Sequence, residues 1–327
     1  MALRASLPMT VRRFAAGIDV SAQTVRLVVL SQRWRARGPV RIEHIAAGPL
    51  PEGAMAGAEI LDRRAVSQAL RDVFSGMPHL VANHALHCAM ALPASATLFS
   101  KMPLARMIAA HEVGDVDRRS LDALEPLMLG EAERIAGIER HALAVDWFVE
   151  RSSAHPGMVT IAATGRRHLE ARIECAATAG ISLSTIDGEP HAALRAIRHA
   201  ALLELELNES YVAVWIGLEG IFGWRITGQM LAAEMRYPSP EHADLIDALR
   251  DLTRHSPSVD CVLVGGEIEL LDGIGVTIAD MGEALGCTAL PFECAPLVEC
   301  DGRPASESIH DPAYVVAFGL ALRGVME

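Results

Sequence analysis

The sequence has few of the features that mark secreted, membrane-spanning or zinc-binding proteins. Its six cysteines include no C-x-x-C pair and no recognisable zinc pattern, so a disulfide framework and a zinc site are not expected. No run approaches the roughly 20 apolar residues that a membrane-spanning helix needs. The basic start of the chain precedes only a short apolar stretch that Gly17 and Asp19 interrupt, so no export signal is expected. These absences predict a cytoplasmic protein that reaches a membrane only through a partner.

Lysine is almost missing as well, because Lys101 is the only one and every other basic side chain apart from histidine is arginine. The net charge of −12 argues against a broad nucleic-acid-binding face. A hydrophobic share of 51% over 327 residues is typical of a globular protein with two or three subdomains. The scattered histidines predict no metal site, and Ser152-Ser153 lacks the base and oxyanion signature of a hydrolase triad. No catalytic residue is therefore predicted.

The most informative stretch is the first predicted hairpin, in which two apolar runs flank a short polar turn. Asp19 lies where the first strand ends, and Arg26 lies on the returning strand. The turn between them supplies backbone N–H groups from Ser21, Ala22 and Gln23. An acid, a nest of amides and a cation at this spacing suit a phosphate with its magnesium ion. The alternative is an ordinary edge hairpin in which Asp19 only forms the turn.

The order of predicted elements occurs twice along the chain. Each half begins with paired strands and continues with a crossover helix and a buried strand. Two similar α/β lobes with a cleft between them explain this order. We assign the first lobe to residues 12–92 and 158–207, an inserted subdomain to 93–157, and the second lobe to 208–327.

Four local expectations accompany this division. Pro126 should open a helix at its first position, and a strand from Met158 should resume the main sheet of the first lobe. Residues 228–258 should form a shortened outer subdomain, mostly one helix, with Ser239 and Pro240 at its start. A closing helix at residues 313–324 should pack back toward the first lobe.

Short motifs run in collinear order along residues 14–324. They include Gly17-Ile18-Asp19, Pro49-Leu50-Pro51, Glu131-Ala132-Glu133, Ala162-Ala163-Thr164, Ile186-Asp187-Gly188-Glu189-Pro190, Val264-Gly265-Gly266 and Ala317-Phe318-Gly319. In this order and spacing they resemble the PilM-like type IV pilus assembly proteins of the actin-like ATPase superfamily. The resemblance implies an α/β actin-like fold, with duplicated ribonuclease H-like lobes and a subdomain inserted in the first lobe.

The same resemblance implies a function. PilM-like proteins are cytoplasmic scaffolds that bind the short N-terminal tail of PilN, a single-span inner-membrane protein, and link the periplasmic alignment complex to the cytoplasmic pilus motor. The tail lies in a groove between the first subdomain and the insert. For this chain that implies a surface within about residues 60–165, without naming its lining residues. The system served is a type IV pilus or a related secretion or competence system.

In this superfamily two facing hairpins hold a nucleotide, and each normally offers an Asp-x-Gly. Here the first hairpin has Ser21 in place of the glycine. The second reads Trp215-Ile216-Gly217, with tryptophan in place of the aspartate, and Glu219 lies beyond the matching position. The short outer subdomain is a third departure. Because a metal carboxylate stabilises transition-state charge strongly, we expect the ATPase activity to be lost.

Parts of a nucleotide site nevertheless remain. Gly265 and Gly266 would let the backbone approach a nucleotide, and Glu189 would position an attacking water. The alternatives are a strand-to-loop turn for the two glycines and a helix start for Glu189. Weak binding of ATP and magnesium without turnover stays open, as does an active ATPase of the same complex. A small-molecule kinase is disfavoured, because the second aspartate is missing.

Overall fold

A computed structural model gives the fold for most of the chain. It describes residues 12–33, 40–78, 81, 86–105, 121–149, 157–207, 209–237, 244–254, 258–294 and 307–326. The strands are β1 (Arg12–Val20), β2 (Thr24–Arg33), β3 (Arg41–Pro49), β4 (Met55–Ala56), β5 (Glu59–Ile60), β6 (Leu86–Leu92), β7 (Leu98–Pro103), β8 (Leu143–Val149), β9 (Met158–Gly165), β10 (Leu183–Gly188), β11 (Ser210–Gly217), β12 (Gly220–Thr227), β13 (Met230–Tyr237), β14 (Cys261–Gly266) and β15 (Thr288–Pro291). The helices are α1 (Arg63–Ser75), α2 (Leu121–Ala136), α3 (Arg166–Thr178), α4 (Glu189–Glu204), α5 (Leu245–Thr253), α6 (Ile278–Leu285) and α7 (Val315–Met326).

Two five-stranded sheets have the same topology. The first sheet has the order β3-β2-β1-β6-β10, and the second sheet has the order β13-β12-β11-β14-β15. In each sheet, the first three strands along the chain form an antiparallel meander. The fourth strand pairs in parallel with the first strand of the meander, and the fifth pairs in parallel with the fourth. This duplication confirms the actin-like fold class that the sequence predicted.

Helices α4 and α7 pack against each other in the largest hydrophobic core of the described residues. The inward faces of both five-stranded sheets contribute to that core, through Ala15 and Ala89 of the first sheet and Ala213 and Leu263 of the second. Helix α7 packs directly on β1, β2 and β6. The closing helix is therefore at Val315–Met326, two residues later than the sequence suggested. Its small and branched apolar side chains let it lie close to β1.

A third sheet, of order β7-β9-β8, is covered on one face by α2 through Leu124, Leu127 and Met128. The expectation that the strand from Met158 resumes the first sheet is wrong, because β9 pairs antiparallel with both β7 and β8. Alternation predicted the strand correctly, but it carries no information on which strand is the neighbour. The domain boundaries as a whole stay a prediction.

Two helix starts also differ from expectation. Pro126 lies inside α2, so this helix lacks one backbone hydrogen bond, and burial of its apolar face outweighs that loss. Residues 230–237 form β13, the outer strand of the second sheet, where the sequence suggested mostly helix. Helix α5 follows at Leu245, while Ser239 and Pro240 lie outside the described residues.

Candidate functional site

A cavity of about 330 Å³, here called the cleft, lies between the turns of the equivalent hairpins β1–β2 and β11–β12. Six of the nine residues predicted for a nucleotide line it: Asp19, Ser21, Ala22, Glu189, Gly217 and Gly266. Arg26 lies beside it in contact with Asp19, whereas Gln23 and Gly265 are not part of the lining. The fold therefore brings most of these residues together, and nucleotide binding by them stays a prediction.

The cleft is rich in carboxylates, with Asp19, Glu189, Glu219 and Glu267 in its lining. Burial raises the pKa of Asp19 to about 6; the charge of Arg26 opposes this rise and that of Glu267 adds to it. Burial also raises the pKa of Glu189 to about 8, with further increases from the charges of Asp19 and Glu219. Glu189 is therefore mostly protonated at neutral pH, and in that form it does not act as a base toward water.

Arg26 is already paired with two of these acids. Its guanidinium lies 3.7 Å from Asp19 Oδ2 and 2.7 Å from Glu267 Oε1. Because Arg26 belongs to β2 and Glu267 follows β14, this interaction joins the first sheet to the second. Of the described residues that line the cleft, none is an arginine or a lysine. The side chains there consequently repel a triphosphate more than they attract it.

Two acids of the cleft accept hydrogen bonds from the segment that follows β6. The short helical turn Ala94–Ala96 follows β6, and its backbone amides reach acids of the cleft. The amide of Ala94 donates to Glu189 at 3.2 Å, and the amide of Ser95 donates to Glu219 at 2.7 Å. The Ser95 hydroxyl donates to the same Glu219 carboxylate at 2.5 Å. Since Glu219 belongs to the β11–β12 turn, this contact is a second polar link between the two sheets.

Trp215 fills space on the second-sheet side of the cleft. Its side chain is buried, and its indole lies 5.4 Å from the Phe222 ring, centroid to centroid. A Cβ added to Gly217 would lie 2.7 Å from the Trp215 ring atom Cη2. The glycine therefore makes room for the indole. An indole supplies no oxygen ligand for magnesium.

The Gly265–Gly266 pair is explained by packing. Gly266 has a φ of +104°, and a Cβ there would lie 2.1 Å from the carbonyl oxygen of Ile216. A Cβ on Gly265 would lie 3.0 Å from Val315 at the start of α7. Each glycine thus has a steric reason that involves no ligand. The strand-to-loop turn considered for this pair accounts for it.

A buried arginine lies behind the cleft. Arg172 of α3 is fully buried, with Nε donating to the Ala91 carbonyl at 2.9 Å and Nη1 donating to the carbonyls of Ala58 and His168 at 3.2 Å. Burial lowers the pKa of Arg172, and the negative charge of Glu189 is the largest influence opposing that fall. Arg172 is held by backbone carbonyls and supplies positive charge from within the protein.

A second concavity, of about 450 Å³ and here called the groove, lies between the third sheet and the edge of the first. Strand β8 contributes Ala144, Val145, Asp146 and Phe148, β9 contributes Ala162, Ala163 and Thr164, and β10 contributes Ile186, Asp187 and Gly188. Phe99 of β7 and His191 of α4 meet across it, with ring centroids 3.8 Å apart. Phe148 is 58% exposed and Phe99 is 38% exposed, so the groove has an open aromatic wall.

One end of the groove is ionic. Asp187 Oδ2 accepts hydrogen bonds from Arg195 at 2.7 Å and from Arg323 at 3.1 Å. Burial alone would raise the pKa of Asp187, but the two arginines outweigh it and hold that pKa below its usual value. Asp187 is therefore ionised, and its carboxylate is shared by two arginines.

The described residues also bear on metal binding, membrane spanning and cysteine chemistry. The described residues contain no group of three histidine, cysteine, aspartate or glutamate side chains that could hold a metal ion. Within the same part of the chain, no helix is long and apolar enough to cross a bilayer. Five cysteines are described, none in a disulfide, and burial raises the pKa of Cys88 to about 11 and of Cys261 to about 12.

The sequence did not indicate Glu267 or Ser95, which hold the two sheets together at the cleft. A signal for Glu267 did exist, because it directly follows the carboxyl end of a parallel strand, where functional side chains concentrate in α/β proteins. The individual residues of the groove carried no such signal, since its walls come from strands far apart along the chain.

Comparisons with known proteins agree with this architecture. The sequence pattern of the family described as "Type IV pilus assembly protein PilM" matches residues 17–219, more than half of the chain. The solved "PilM-PilN type IV pilus biogenesis complex" is similar over 95% of this chain and 98% of the matched chain, with 21% identity and a TM-score of 0.70. Ethanolamine utilization protein EutJ from Carboxydothermus hydrogenoformans is similar over 97% and 90%, with 15% identity and a TM-score of 0.49. The chain therefore belongs to the PilM family of type IV pilus assembly proteins.

Proposed function

We propose that this chain is a scaffold of the inner-membrane assembly complex of a type IV pilus, or of a related secretion or competence system. In this role it holds the cytoplasmic N-terminal tail of a PilN-like single-span membrane protein. The groove is the observation that carries the proposal. The matched solved structure is named as a complex of PilM with PilN, which supports a partner of this kind. The chain would then be cytoplasmic and peripheral to the membrane, between that partner and the pilus motor.

The backbone of the groove suits an extended segment. Among the described strands, β8 pairs only with β9 and β10 pairs only with β6. Both therefore present an unpaired edge, and residues of both line the groove. An extended peptide satisfies such edges by adding backbone hydrogen bonds, and its alternate side chains enter the neighbouring pockets.

The side chains of the groove suit a mostly apolar segment. Phe148 and Phe99 offer aromatic area, and the same face of the third sheet carries Ala144, Ala162 and the carboxylate of Asp146. Asp187 is already paired with Arg195 and Arg323, so this acid requires no positive charge from the occupant. Buried aromatic contacts are the usual energetic centre of such an interface.

A titration tests the proposal. The N-terminal peptide of a PilN-like protein from the same organism should bind the wild-type chain with a Kd of tens of micromolar or tighter. Phe148→Ala should weaken binding about tenfold, because truncating an aromatic anchor commonly costs more than 1 kcal/mol. Leu207→Ala is the matched control, since Leu207 is 70% exposed and lies outside the groove. Absence of binding, or equal losses in both variants, would contradict the proposal.

We also propose that the cleft does not hydrolyse ATP efficiently. The cluster of acids in the cleft, the indole of Trp215 and the protonated state of Glu189 all support a cleft that does not turn over ATP. Magnesium-dependent ATP hydrolysis by the wild type should not exceed that of Asp19→Ala. That variant leaves the Arg26–Glu267 pair in place. Hydrolysis that Asp19→Ala abolishes would instead establish the active ATPase.

A further inference from the structure

Thr164 has a hydrogen-bonding group that the free protein does not use. The residue lines the groove and is 7% exposed. Its Oγ1 is buried and has no hydrogen-bond partner among the described residues. A buried hydroxyl without a partner destabilises a protein, so its presence in the lining of a groove requires an explanation.

The surroundings of Thr164 form a recess in the wall of the groove. On the face of the third sheet that lines the groove, Thr164 of β9 lies opposite Ala144 of β8, and Ala162 precedes it on the same face. The two alanines are short, while Phe99 stands beside Ala162 on the adjoining strand. A side chain or backbone segment entering between them meets Thr164 at the base.

The described residues that neighbour Thr164 in the chain form no hydrogen bond with its hydroxyl. Helix α3 begins at Arg166, two residues after Thr164, and its cap residue Gly165 makes no side-chain capping bond. Thr97, which also lines the groove, is different because its Oγ1 donates to the Pro93 carbonyl at 2.9 Å. Thr164 Oγ1 therefore has no hydrogen bond to lose when a docked group reaches it.

The hydroxyl of Thr164 favours an uncharged partner. Asp187 already accepts from both Arg195 and Arg323 at the ionic end of the groove. A hydroxyl does not neutralise a charge, so burying a charged group against Thr164 costs more than burying a neutral one. A neutral group that donates or accepts one hydrogen bond fits without that cost.

We propose that Thr164 determines specificity in the groove, by hydrogen-bonding an uncharged polar group of the docked tail. That group is a backbone amide or carbonyl, or an amide or hydroxyl side chain. This inference rests on the proposed docking function. It adds that the occupant presents one neutral hydrogen-bonding group within an otherwise apolar segment.

The experiment compares Thr164→Val and Thr164→Ser with the wild type, using the same PilN-like tail peptide. Thr160→Val is the matched control, since Thr160 lies on the same strand and face but outside the groove lining. Each variant is titrated with the peptide and unfolded thermally without it. Thr164→Val should bind about five- to tenfold more weakly, while its Tm should equal or exceed that of the wild type. Thr164→Ser and Thr160→Val should bind like the wild type.

The outcomes separate the inference from the function on which it rests. A wild type that does not bind the peptide refutes the docking function, and the inference with it. A wild type that binds, with Thr164→Val binding equally well, refutes the inference alone. A lower Tm for Thr164→Val also refutes it, because the hydroxyl would then have a partner in the free protein.

Discussion

Glu189→Gln should stabilise this protein at alkaline pH. Glutamine keeps the shape of Glu189 and an oxygen that accepts from the Ala94 amide, but it cannot ionise. Burial, together with the charges of Asp19 and Glu219, raises the pKa of Glu189 from 4.5 to about 8. The folded protein therefore binds this proton more tightly than the unfolded chain does. Between about pH 4.5 and pH 8 the contribution of Glu189 to the free energy of unfolding consequently falls as pH rises.

The size of the effect follows from that shift. At about 1.4 kcal/mol per pKa unit, the rise from 4.5 to about 8 sets an upper limit of about 5 kcal/mol. Part of the shift comes from the charge of Asp19, whose own pKa of about 6 makes it ionise first. We expect Glu189→Gln to gain about 2–4 kcal/mol over the wild type on going from pH 5 to pH 9.

Urea unfolding at a series of pH values measures this difference. The control is Glu204→Gln, at the exposed end of the same helix, which should follow the wild-type curve within about 0.5 kcal/mol. If Glu189→Gln and the wild type give parallel curves, Glu189 is ionised normally in the folded protein. The description of the cleft as an acid-crowded site that protonates its own candidate base would then be wrong.

Three other predictions concern a tightly packed glycine, a buried arginine and a buried cysteine. Gly266→Ala should destabilise the fold by at least about 3 kcal/mol in urea unfolding, because its Cβ would meet the Ile216 carbonyl. The control is Gly273→Ala, where an added Cβ has no atom within 4 Å, and it should change the free energy of unfolding by less than about 0.5 kcal/mol. Arg172→Met should cost about 3–5 kcal/mol by the same assay, since three backbone carbonyls lose a guanidinium donor and two of those hydrogen bonds are buried. Cys88 should resist alkylation in the native protein, as peptide mapping by mass spectrometry would detect, because burial raises its pKa to about 11.

The sequence predicted the duplicated lobes because local signals define them. In the first hairpin, apolar runs around a polar turn specify two paired strands, and they place Asp19 at the strand end without any long-range information. Asp62 begins α1 by accepting from the Ala65 amide, as a capping residue before an apolar helical face should. Such elements are fixed by residues close together in the chain.

The errors have a different physical origin. Strand β9 was predicted as a strand but assigned to the wrong sheet, because pairing depends on residues such as Phe99 and Trp147 that are distant in sequence. Strand β13 was missed because apolar and polar residues alternate only weakly from Met230 to Tyr237, and because no glycine or proline there argues against a helix. Pro126 was placed at a helix start by its own preference, which tertiary burial of α2 overrides.

The candidate site also contains some residues that the sequence indicated and others that it did not. Asp19, Glu189 and the glycines of the cleft were found because motif spacing marks them, although packing explains the glycines and Glu267 was missed. The groove was expected only as a region, and its residues emerge when β8, β9, β10 and α4 meet. A recess such as that at Thr164 depends on what its neighbours leave unpaired, which a single sequence does not contain.

Amide hydrogen exchange tests the central claim most directly, because one experiment reports on both the groove and the cleft. Added PilN-like tail peptide should slow exchange along β8 and β10, the two open edges of the groove, while ATP with magnesium should leave the β1–β2 and β11–β12 turns unchanged. Protection of those turns by ATP with magnesium, with no peptide protection at β8 or β10, would contradict it.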